Sequence, residues 1–474
     1  MSYIITDPVR QKLLLGAVSL GVVMDGVDGS IVNVALPTMA TYFDTDTGTI
    51  AWVIITYLLM MAGLLLVFGK IADQGRAKFL FLAGFAVFTI GSTVCGVAPS
   101  FEVLLGARAL QGTGAAMIAA VAPLLCIRYL PKDMLGTAFG VIAAAASIGF
   151  AVGPAIGGVI TQYLSWHWIF LINIPIGIVG VLFASRVIPA DEADRGRGAA
   201  SFDYPGAILL FASMVFWVFS LEELPARGAA DSGILTYVML ALVCTALFVA
   251  RQLTTKDPFL NIRIFASWQF SAVLAAFLLI NIVFTGILYL LPFYLTSGMQ
   301  FDLMTCGLLL LVPPAVIAIT SVPFGRWSDK TGRRRPFAII ACAIVAVYSA
   351  YFTVVSPEYG IVPLLFGFIL MGLAFGIGSA PASTRIIEKA PRGEESTASS
   401  IVMTIVYFAG MLGTASYAAI FTLATREAGA VVDFASISCA TLVYGFQVTV
   451  GAGLVLAVIA VILSAIVPDA ERSA

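Results

Sequence analysis

Leu135–Tyr163 reads LGTAFGVIAAAASIGFAVGPAIGGVITQY and carries no charged side chain over 29 residues. A helix that crosses the hydrocarbon core of a bilayer needs about 20 consecutive apolar residues, whereas a membrane β-strand needs about 10 with alternating polarity. This run is long and uninterrupted, and a helix satisfies its own backbone N–H and C=O groups inside lipid. The stretch therefore predicts a transmembrane helix and a helical bundle.

The composition of the whole chain agrees with this stretch. Of 474 residues, 60% are hydrophobic and 11% are charged, and the net charge is −1. A soluble domain averages about 25% charged residues, so this chain could not cover a surface exposed to water. The composition excludes an ordinary soluble enzyme and a disordered protein, and it argues against nucleic acid as a partner. The predicted partner is a lipid bilayer.

We predict fourteen transmembrane spans and short, antiparallel connections. They are 13–39, 50–67, 79–97, 101–127, 135–163, 169–187, 204–221, 234–250, 269–295, 303–324, 337–355, 361–386, 400–423 and 442–467. With a cytoplasmic N-terminus, 22 of the 25 Lys and Arg residues fall on the cytoplasmic side, among them Arg195, Arg197, Lys256 and Arg472. Cytoplasmic loops are enriched in these residues. We therefore expect a multi-pass protein of the cytoplasmic membrane with both termini inside.

The chain contains an internal repeat. Gly69-Lys-Ile-Ala-Asp73 follows span 2 and Gly325-Arg-Trp-Ser-Asp329 follows span 10, 256 residues later. The repeat predicts an all-α integral membrane fold with an N-terminal six-helix bundle at 13–190 and a C-terminal six-helix bundle at 264–468. Spans 7 and 8, at 200–252, would be two inserted linker helices. Parallel six-helix repeats with a substrate site between them suit alternating access.

Three charges lie deep inside predicted spans: Asp25, Asp28 and Arg108. Each costs about 2.5–3.5 kcal/mol or more at the bilayer centre, so such groups usually pair and face a cavity. The two acids are three residues apart, on one helix face. At 1.5 Å per residue, Asp28 lies about 8 Å and Arg108 about 10 Å below the outer surface. We therefore expect Arg108 to contact Asp28 or Asp25.

This cluster suggests proton coupling. Two close carboxylates in a low dielectric do not both ionise easily, and a nearby arginine favours the charged form. Such a group can take a proton from one side and release it to the other when its surroundings change. A structural ion pair or a helix-end cap is the alternative reading. The coupling ion we predict is a proton, with no other cofactor; sodium stays open.

Small residues mark one helix surface in span 5. Glycines recur about every four residues and surround a proline, which favours close helix packing and a kink. The residues are Gly149, Gly153, Pro154, Gly157 and Gly158. In span 4, Gln111 lies one turn from Arg108 and either lines a cavity or joins helices. Six scattered cysteines without a CxxC pair predict core residues and no metal site.

Two further groups of residues are candidates. The loops after spans 2 and 10 could form cytoplasmic latches through a glycine turn and acid–arginine contacts, although the positive-inside signal alone also explains their charge. The latch residues are Gly69, Asp73, Arg76, Gly325, Asp329, Gly332 and Arg333. Polar and aromatic residues that could line a cavity for lipophilic cations are Asn33, Asn281, Tyr57, Tyr289, Tyr294 and Tyr407.

Together these motifs resemble the major facilitator superfamily and, within it, the 14-span drug:proton antiporters. The matching strings are Asp28-Gly-Ser-Ile-Val-Asn33-Val-Ala-Leu-Pro37, Arg108-Ala-Leu-Gln111-Gly112, Gly149 to Gly158, Trp166-His-Trp-Ile-Phe-Leu-Ile-Asn173-Ile-Pro-Ile-Gly177 and Phe202-Asp203-Tyr-Pro-Gly206. The resemblance implies that Asp28 and Arg108 act in proton transfer and that the span-5 glycines are typical of exporters. The first latch departs from the pattern, because Gly75 comes one residue early and no arginine follows Asp73 directly.

The sequence thus predicts a secondary transporter rather than an enzyme: a proton-coupled antiporter that exports small amphipathic, drug-like molecules as a monomer. A transporter of one metabolite, such as a sugar, an amino acid or a siderophore, is the first alternative. A membrane receptor or scaffold is the second, and the lack of a sizeable soluble segment argues against it.

Overall fold

A computed structural model describes residues 4–191, 203–228, 231–255, 258, 260–427 and 437–469. Four basic residues used to orient the chain, Arg195, Arg197, Lys256 and Arg472, lie outside these ranges. So do Phe202 of the quoted motifs and the first residues of the predicted inserted pair.

The described residues form helices and no β-strand. The helices are α1 (Pro8–Phe43), α2 (Thr47–Ile71), α3 (Ala77–Gly96), α4 (Phe101–Tyr129), α5 (Leu135–Tyr163), α6 (Trp168–Leu171), α7 (Asn173–Val187), α8 (Tyr204–Arg227), α9 (Ser232–Thr254), α10 (Trp268–Phe293), α11 (Leu303–Leu310), α12 (Val312–Thr331), α13 (Arg335–Phe352), α14 (Ile361–Glu388), α15 (Glu395–Glu427) and α16 (Cys439–Ile466). The predicted all-α membrane fold is confirmed.

Thirteen segments of the described chain are long and apolar enough to cross a bilayer, one fewer than predicted. The difference lies in Thr47–Gly96, whose 50 residues contain both α2 and α3. A helix of that length would be about 75 Å long, against a hydrocarbon core of about 30 Å. Between the two helices, Gly75 has φ 91°, a conformation that glycine adopts without strain. The count of fourteen stays a prediction, with Gly75 as the expected point of division.

The chain divides into two compact units. The first comprises Met1–Met39 and Trp52–Phe202, and the second comprises Ala40–Ala51 and Asp203–Ala474. In the first unit α3 packs against α4 and α7. In the second, α13 packs against α14 and α16, and α8 packs against α9 and α15. The predicted arrangement of two six-helix bundles and an inserted pair stays a prediction.

The two units contain the same helix-end contact. In the first, the backbone N–H of Lys78 at the start of α3 donates to Oδ1 of Asp191, after α7, at 2.8 Å. In the second, the backbone N–H of Arg335 at the start of α13 donates to Oδ1 of Asp469, after α16, at 2.8 Å. Each acid satisfies an unpaired donor and complements the positive end of the helix dipole. This equivalence agrees with the internal repeat seen in the sequence.

The glycines of α5 lie directly against the backbone of α1. A Cβ atom on Gly153 would lie 2.9 Å from the carbonyl oxygen of Val27, and one on Gly149 would lie 2.6 Å from that of Val23. A Cβ atom on Gly157 would come equally close to α1, and Pro154 and Gly158 are buried beside these glycines in α5. The absence of side chains is therefore what allows the two helices to approach, as small residues do in membrane helix pairs.

Candidate functional site

The first unit contains a buried ion pair between α1 and α4. Nη1 of Arg108 lies 2.7 Å from Oδ2 of Asp28, and the side chains are 1% and 0% exposed. Charges this far from water are stable only when they are paired and hydrogen-bonded. The structure thus brings together the arginine and one of the two acids that their estimated depths suggested.

Three more polar side chains complete the shell around Asp28. Nε2 of Gln111 and Nδ2 of Asn173 donate to Oδ1 of Asp28 at 2.7 and 3.1 Å. The same two nitrogens donate to Oγ of Ser92 at 2.6 and 3.2 Å. Asp28 therefore accepts hydrogen bonds from three side chains on two further elements, α4 and α7. Both oxygens of this buried carboxyl group therefore have hydrogen-bond donors, as buried polar groups require.

Arg108 is held on its other sides as well. Its Nε donates to the carbonyl oxygen of Val53 at 2.9 Å, and its Nη1 donates to Oε1 of Gln111 at 2.6 Å. The guanidinium carbon lies 4.3 Å from the ring centroid of Tyr57 and 5.7 Å from that of Phe170, which is cation–π geometry. Gln111 thus joins helices within this cluster, one of its two predicted roles.

Asp25 takes a different partner from Asp28, although both lie on one face of α1. Its Oδ1 accepts a hydrogen bond from the hydroxyl of Tyr57, whose ring lies under Arg108. The two acids are therefore linked through Tyr57 and Arg108. Asp25 is half-buried whereas Asp28 is fully buried, so their surroundings differ. A low dielectric strengthens each of these contacts and makes the loss of any one costly.

Four of the remaining predicted cavity residues donate hydrogen bonds to backbone carbonyls. Asn33 and Asn281 donate within their own helices, to the carbonyl oxygens of Gly29 and Phe277 respectively. Two tyrosines of the second unit bond to backbone carbonyls: Tyr289 to Thr47, and Tyr294 to Val355 at 3.3 Å. Tyr407 is partly buried in α15. A role for these residues in substrate binding stays a prediction.

The latch residues of the second unit form a turn and an ion-pair network. Gly332 ends α12 with φ 64°, a left-handed conformation that favours glycine. The arginine that binds is Arg334 rather than the predicted Arg333: it lies 3.5 Å from Asp329 and 2.6 Å from Glu388. Because the chain reverses at Gly332, Arg333 points outward and is exposed. Gly325 lies before this turn in α12.

The latch of the first unit is more open. Asp73 and Arg76 are exposed, and a Cβ atom on Gly69 would meet nothing within 4 Å. The left-handed residue of this turn is Gly75, the glycine that comes one residue early in the motif. A contact between Asp73 and Arg76 is not formed in the described residues.

Ser92 and Asn173 were not predicted as site residues, although Asn173 lies in a quoted motif. Both could have been predicted from their depth in the membrane. Ser92 precedes the end of α3 by four residues, and Asn173 follows the start of α6 by five. At 1.5 Å per residue both lie about 6–8 Å from the same membrane surface, level with Asp28.

Comparison with known proteins agrees with this fold. The family description "Major Facilitator Superfamily" matches residues 18–414. The riboflavin transporter RibZ of Clostridioides difficile (strain 630) is 30% identical over 417 residues, covering 87% of this chain and 89% of its own. The multidrug resistance protein B homolog of Mycobacterium tuberculosis (strain ATCC 25618 / H37Rv) is 27% identical over 411 residues, covering 86% and 75%.

A solved structure agrees at the level of the fold. A bacterial homolog of the human lysosomal transporter Spinster, inward-facing and unoccupied, superposes with a TM-score of 0.69 at 14% identity and covers 97% of each chain. The family that the motifs resemble is therefore confirmed: this chain is a membrane transporter that belongs to the major facilitator superfamily.

Proposed function

We propose that the protein is a proton-coupled antiporter of the 14-span drug:proton class, which exports small amphipathic molecules by alternating access. The observation that carries the proposal is the buried Arg108–Asp28 pair with its three donors to Asp28. An ionisable group inside a membrane helix is a functional-site hypothesis by default, because its desolvation is expensive.

The geometry suggests how one proton would be used. In the described arrangement Asp28 accepts hydrogen bonds at both oxygens, one of them from Arg108. A proton on Asp28 would remove the attraction to Arg108 and change the packing between α1 and α4. Conversely, a rearrangement that separates Arg108 from Asp28 would favour protonation. Proton binding and helix movement are then linked, as an antiporter requires.

Export is supported by the α5–α1 contact and by relatives. The glycines that let α5 meet α1 belong to the motif that resembles exporters. Several relatives are named for drug resistance, such as the methylenomycin A resistance protein of Bacillus subtilis (strain 168). We propose an orientation with both termini in the cytoplasm, the cytoplasmic membrane as the location, and a monomer as the working unit.

A second candidate is a transporter of one metabolite. The relative RibZ is named a riboflavin transporter, and it matches nearly the whole chain. This candidate predicts a narrow substrate range rather than tolerance of many amphipathic compounds.

Proton release on purified protein tests the proposal. The protein in detergent is mixed with cationic, anionic and neutral amphipathic compounds and with riboflavin in weakly buffered solution, and a pH-sensitive dye reports free protons. We expect several unrelated compounds to release protons from the wild type. A response to one metabolite alone would favour the second candidate, and proton release unchanged in Asp28→Asn would contradict the role of Asp28.

A further inference from the structure

A second group of acidic side chains lies at one end of the second unit. Asp46 precedes α2, Glu222 lies near the end of α8, and Thr422 lies in α15. A Cβ atom on Gly48 would lie 3.2 Å from Oγ1 of Thr422, 3.4 Å from Oδ1 of Asp46 and 3.9 Å from Oε2 of Glu222. Oxygen atoms from three elements therefore surround one glycine, a group that we call the Gly48 cluster.

Two oxygens of the Gly48 cluster have no hydrogen-bond partner among the residues that the structure describes. Thr422 is 6% exposed, and its Oγ1 has no partner in the described part of the chain. Oε1 of Glu222 is likewise buried without a partner among those residues. Leaving an ionised carboxylate oxygen unpaired and away from water is far more costly than leaving a neutral acid there. The surroundings of Glu222 therefore favour its protonated form.

Asp46, in contrast, has partners for both carboxyl oxygens. Its Oδ1 accepts the backbone N–H of Thr49 at 2.6 Å, which is a helix N-cap, and Arg426 lies 3.9 Å from its Oδ2. Arg426 also donates to the carbonyl oxygen of Pro225 at 2.5 Å. The guanidinium of Arg426 is thus engaged with one carboxyl group, that of Asp46, and with one backbone carbonyl.

The other titratable groups nearby are also engaged. Glu223 pairs with Arg227 at 2.7 Å, and Arg227 lies 4.0 Å from Asp231. The hydroxyl of Tyr289, which faces Asp46 and Glu222 from α10, donates to the carbonyl oxygen of Thr47. No basic side chain of the described residues is left to neutralise Glu222, and the charge of Asp46 opposes its ionisation.

We propose that Glu222 is a second proton-binding site, in which its carboxyl group holds one proton over Gly48 beside Thr422 and Asp46. Binding forms one O–H bond on the carboxylate, and release returns the proton to water. The site joins α8 to α15 and to the segment before α2, so the protonation state of Glu222 would alter how α8, one of the predicted inserted helices, is held. The membrane side that supplies this proton follows from the proposed orientation of the chain, whereas proton binding by Glu222 does not depend on it.

Infrared difference spectroscopy on the full-length protein in lipid nanodiscs tests this site. A protonated carboxyl group gives a C=O stretch distinct from that of a carboxylate, and spectra are recorded between acidic and alkaline pH. We expect the wild type to show a protonated carboxyl signal near neutral pH that Glu222→Gln loses. The matched control is Glu223→Gln, which removes the neighbouring acid and should retain the signal.

Two uncharged changes probe the same signal without touching the acids. Gly48→Ala places a methyl group among the three oxygens, and Thr422→Val removes the unpartnered hydroxyl at similar volume. Each change should shift the pH at which the Glu222 signal is half-maximal and should leave the amplitude of the signal unchanged. These variants also test the site if Glu222→Gln does not fold.

Three outcomes would overturn the proposal. They are a spectrum of Glu222→Gln identical to the wild type, equal loss in Glu223→Gln, or loss of the signal on adding sodium at constant pH, which would make the cluster a cation site. The Asp28→Asn variant separates this site from the proposed function. We expect it to keep the Glu222 signal, whether or not Asp28 drives transport.

Discussion

Nη1 of Arg108 lies 2.7 Å from Oδ2 of Asp28, and neither side chain is more than 1% exposed. Each charge is the main reason that the other is tolerated inside the membrane. The amides of Gln111 and Asn173 then complete the hydrogen bonds of the carboxylate. In this arrangement the carboxyl group of Asp28 has a partner at each oxygen, so a conformation that separates it from Arg108 costs free energy. A transporter that alternates between two conformations can use such a difference to link proton binding to helix movement.

We expect Asp28→Asn to destabilise the fold more than the double change Asp28→Asn with Arg108→Gln. The single variant leaves a buried guanidinium uncompensated, which typically costs about 3–5 kcal/mol, whereas the double variant removes both charges. Thermal unfolding of the purified variants in detergent shows which of them is less stable. A double variant that loses as much stability as Asp28→Asn alone, or more, would contradict this dependence.

The effect of replacing a glycine in α5 should depend on whether that glycine contacts α1. Gly153→Ala would force its methyl group against Val27 and Ser30, so we expect a loss of about 1–3 kcal/mol of stability and strongly reduced transport. The matched control is Gly140→Ala on the same helix, where a methyl group meets nothing within 4 Å. Because alanine favours helices over glycine, the control should be neutral or slightly stabilising. Equal effects of both changes would remove the close-contact explanation.

The two neighbouring arginines after Gly332 should differ in effect. Arg334→Ala removes contacts to Asp329 and Glu388, whereas the side chain of Arg333 is exposed. We expect Arg334→Ala to reduce the transport rate several-fold and Arg333→Ala to leave it near the wild-type value. Uptake into reconstituted vesicles measures both. A larger loss with Arg333→Ala would restore the assignment that the sequence motif suggested.

Asp203, just before α8, should contribute stability that disappears in acid. Burial alone would raise the pKa of Asp203, but hydrogen bonds from Arg251 at 2.5 Å, Gln252 at 2.8 Å and the N–H of Gly206 at 3.0 Å outweigh it and hold the pKa below its ordinary value. The contribution is therefore fully present above the unfolded pKa of about 3.9, and it is lost as the pH falls through the folded pKa.

The experiment that tests this prediction measures the free energy of unfolding of the wild type and of Asp203→Asn at neutral pH and near pH 3. At neutral pH we expect the variant to be less stable by about 1–3 kcal/mol, the range for hydrogen bonds to a charged group. The difference in stability between the two proteins should become smaller in acid, because protonation of Asp203 then removes the charged carboxylate from the wild type as well. A gap that is constant across this pH range would contradict the role of the carboxylate.

The sequence predicted the helical membrane fold and the Asp28–Arg108 contact because both follow from simple physics. Apolar length defines a span, and two buried charges at one depth have few alternatives to pairing. Depth also locates Ser92 and Asn173, but these neutral side chains cost less inside a membrane than charges do and therefore stand out less in the sequence.

Other features depended on backbone geometry that residue type does not encode. The choice of Arg334 over Arg333 follows from the left-handed turn at Gly332, which decides the direction of each side chain. Likewise, the spacing of Asp25 and Asp28 places both on one helix face, yet Asp25 bonds to Tyr57 and Asp28 bonds to Arg108. The Gly48 cluster joins residues almost 400 positions apart in the chain and has no local signature.

The most direct test of the account is transport by Asp28→Asn in reconstituted vesicles with an imposed pH gradient. Asp28→Glu, which keeps the charge, serves as the matched variant, and fluorescence-detected gel filtration verifies that each protein is folded. We predict gradient-driven transport of an amphipathic dye by the wild type, reduced transport by Asp28→Glu and none by folded Asp28→Asn. Gradient-driven transport at the wild-type rate by folded Asp28→Asn would contradict the claim that Asp28 carries the coupling proton.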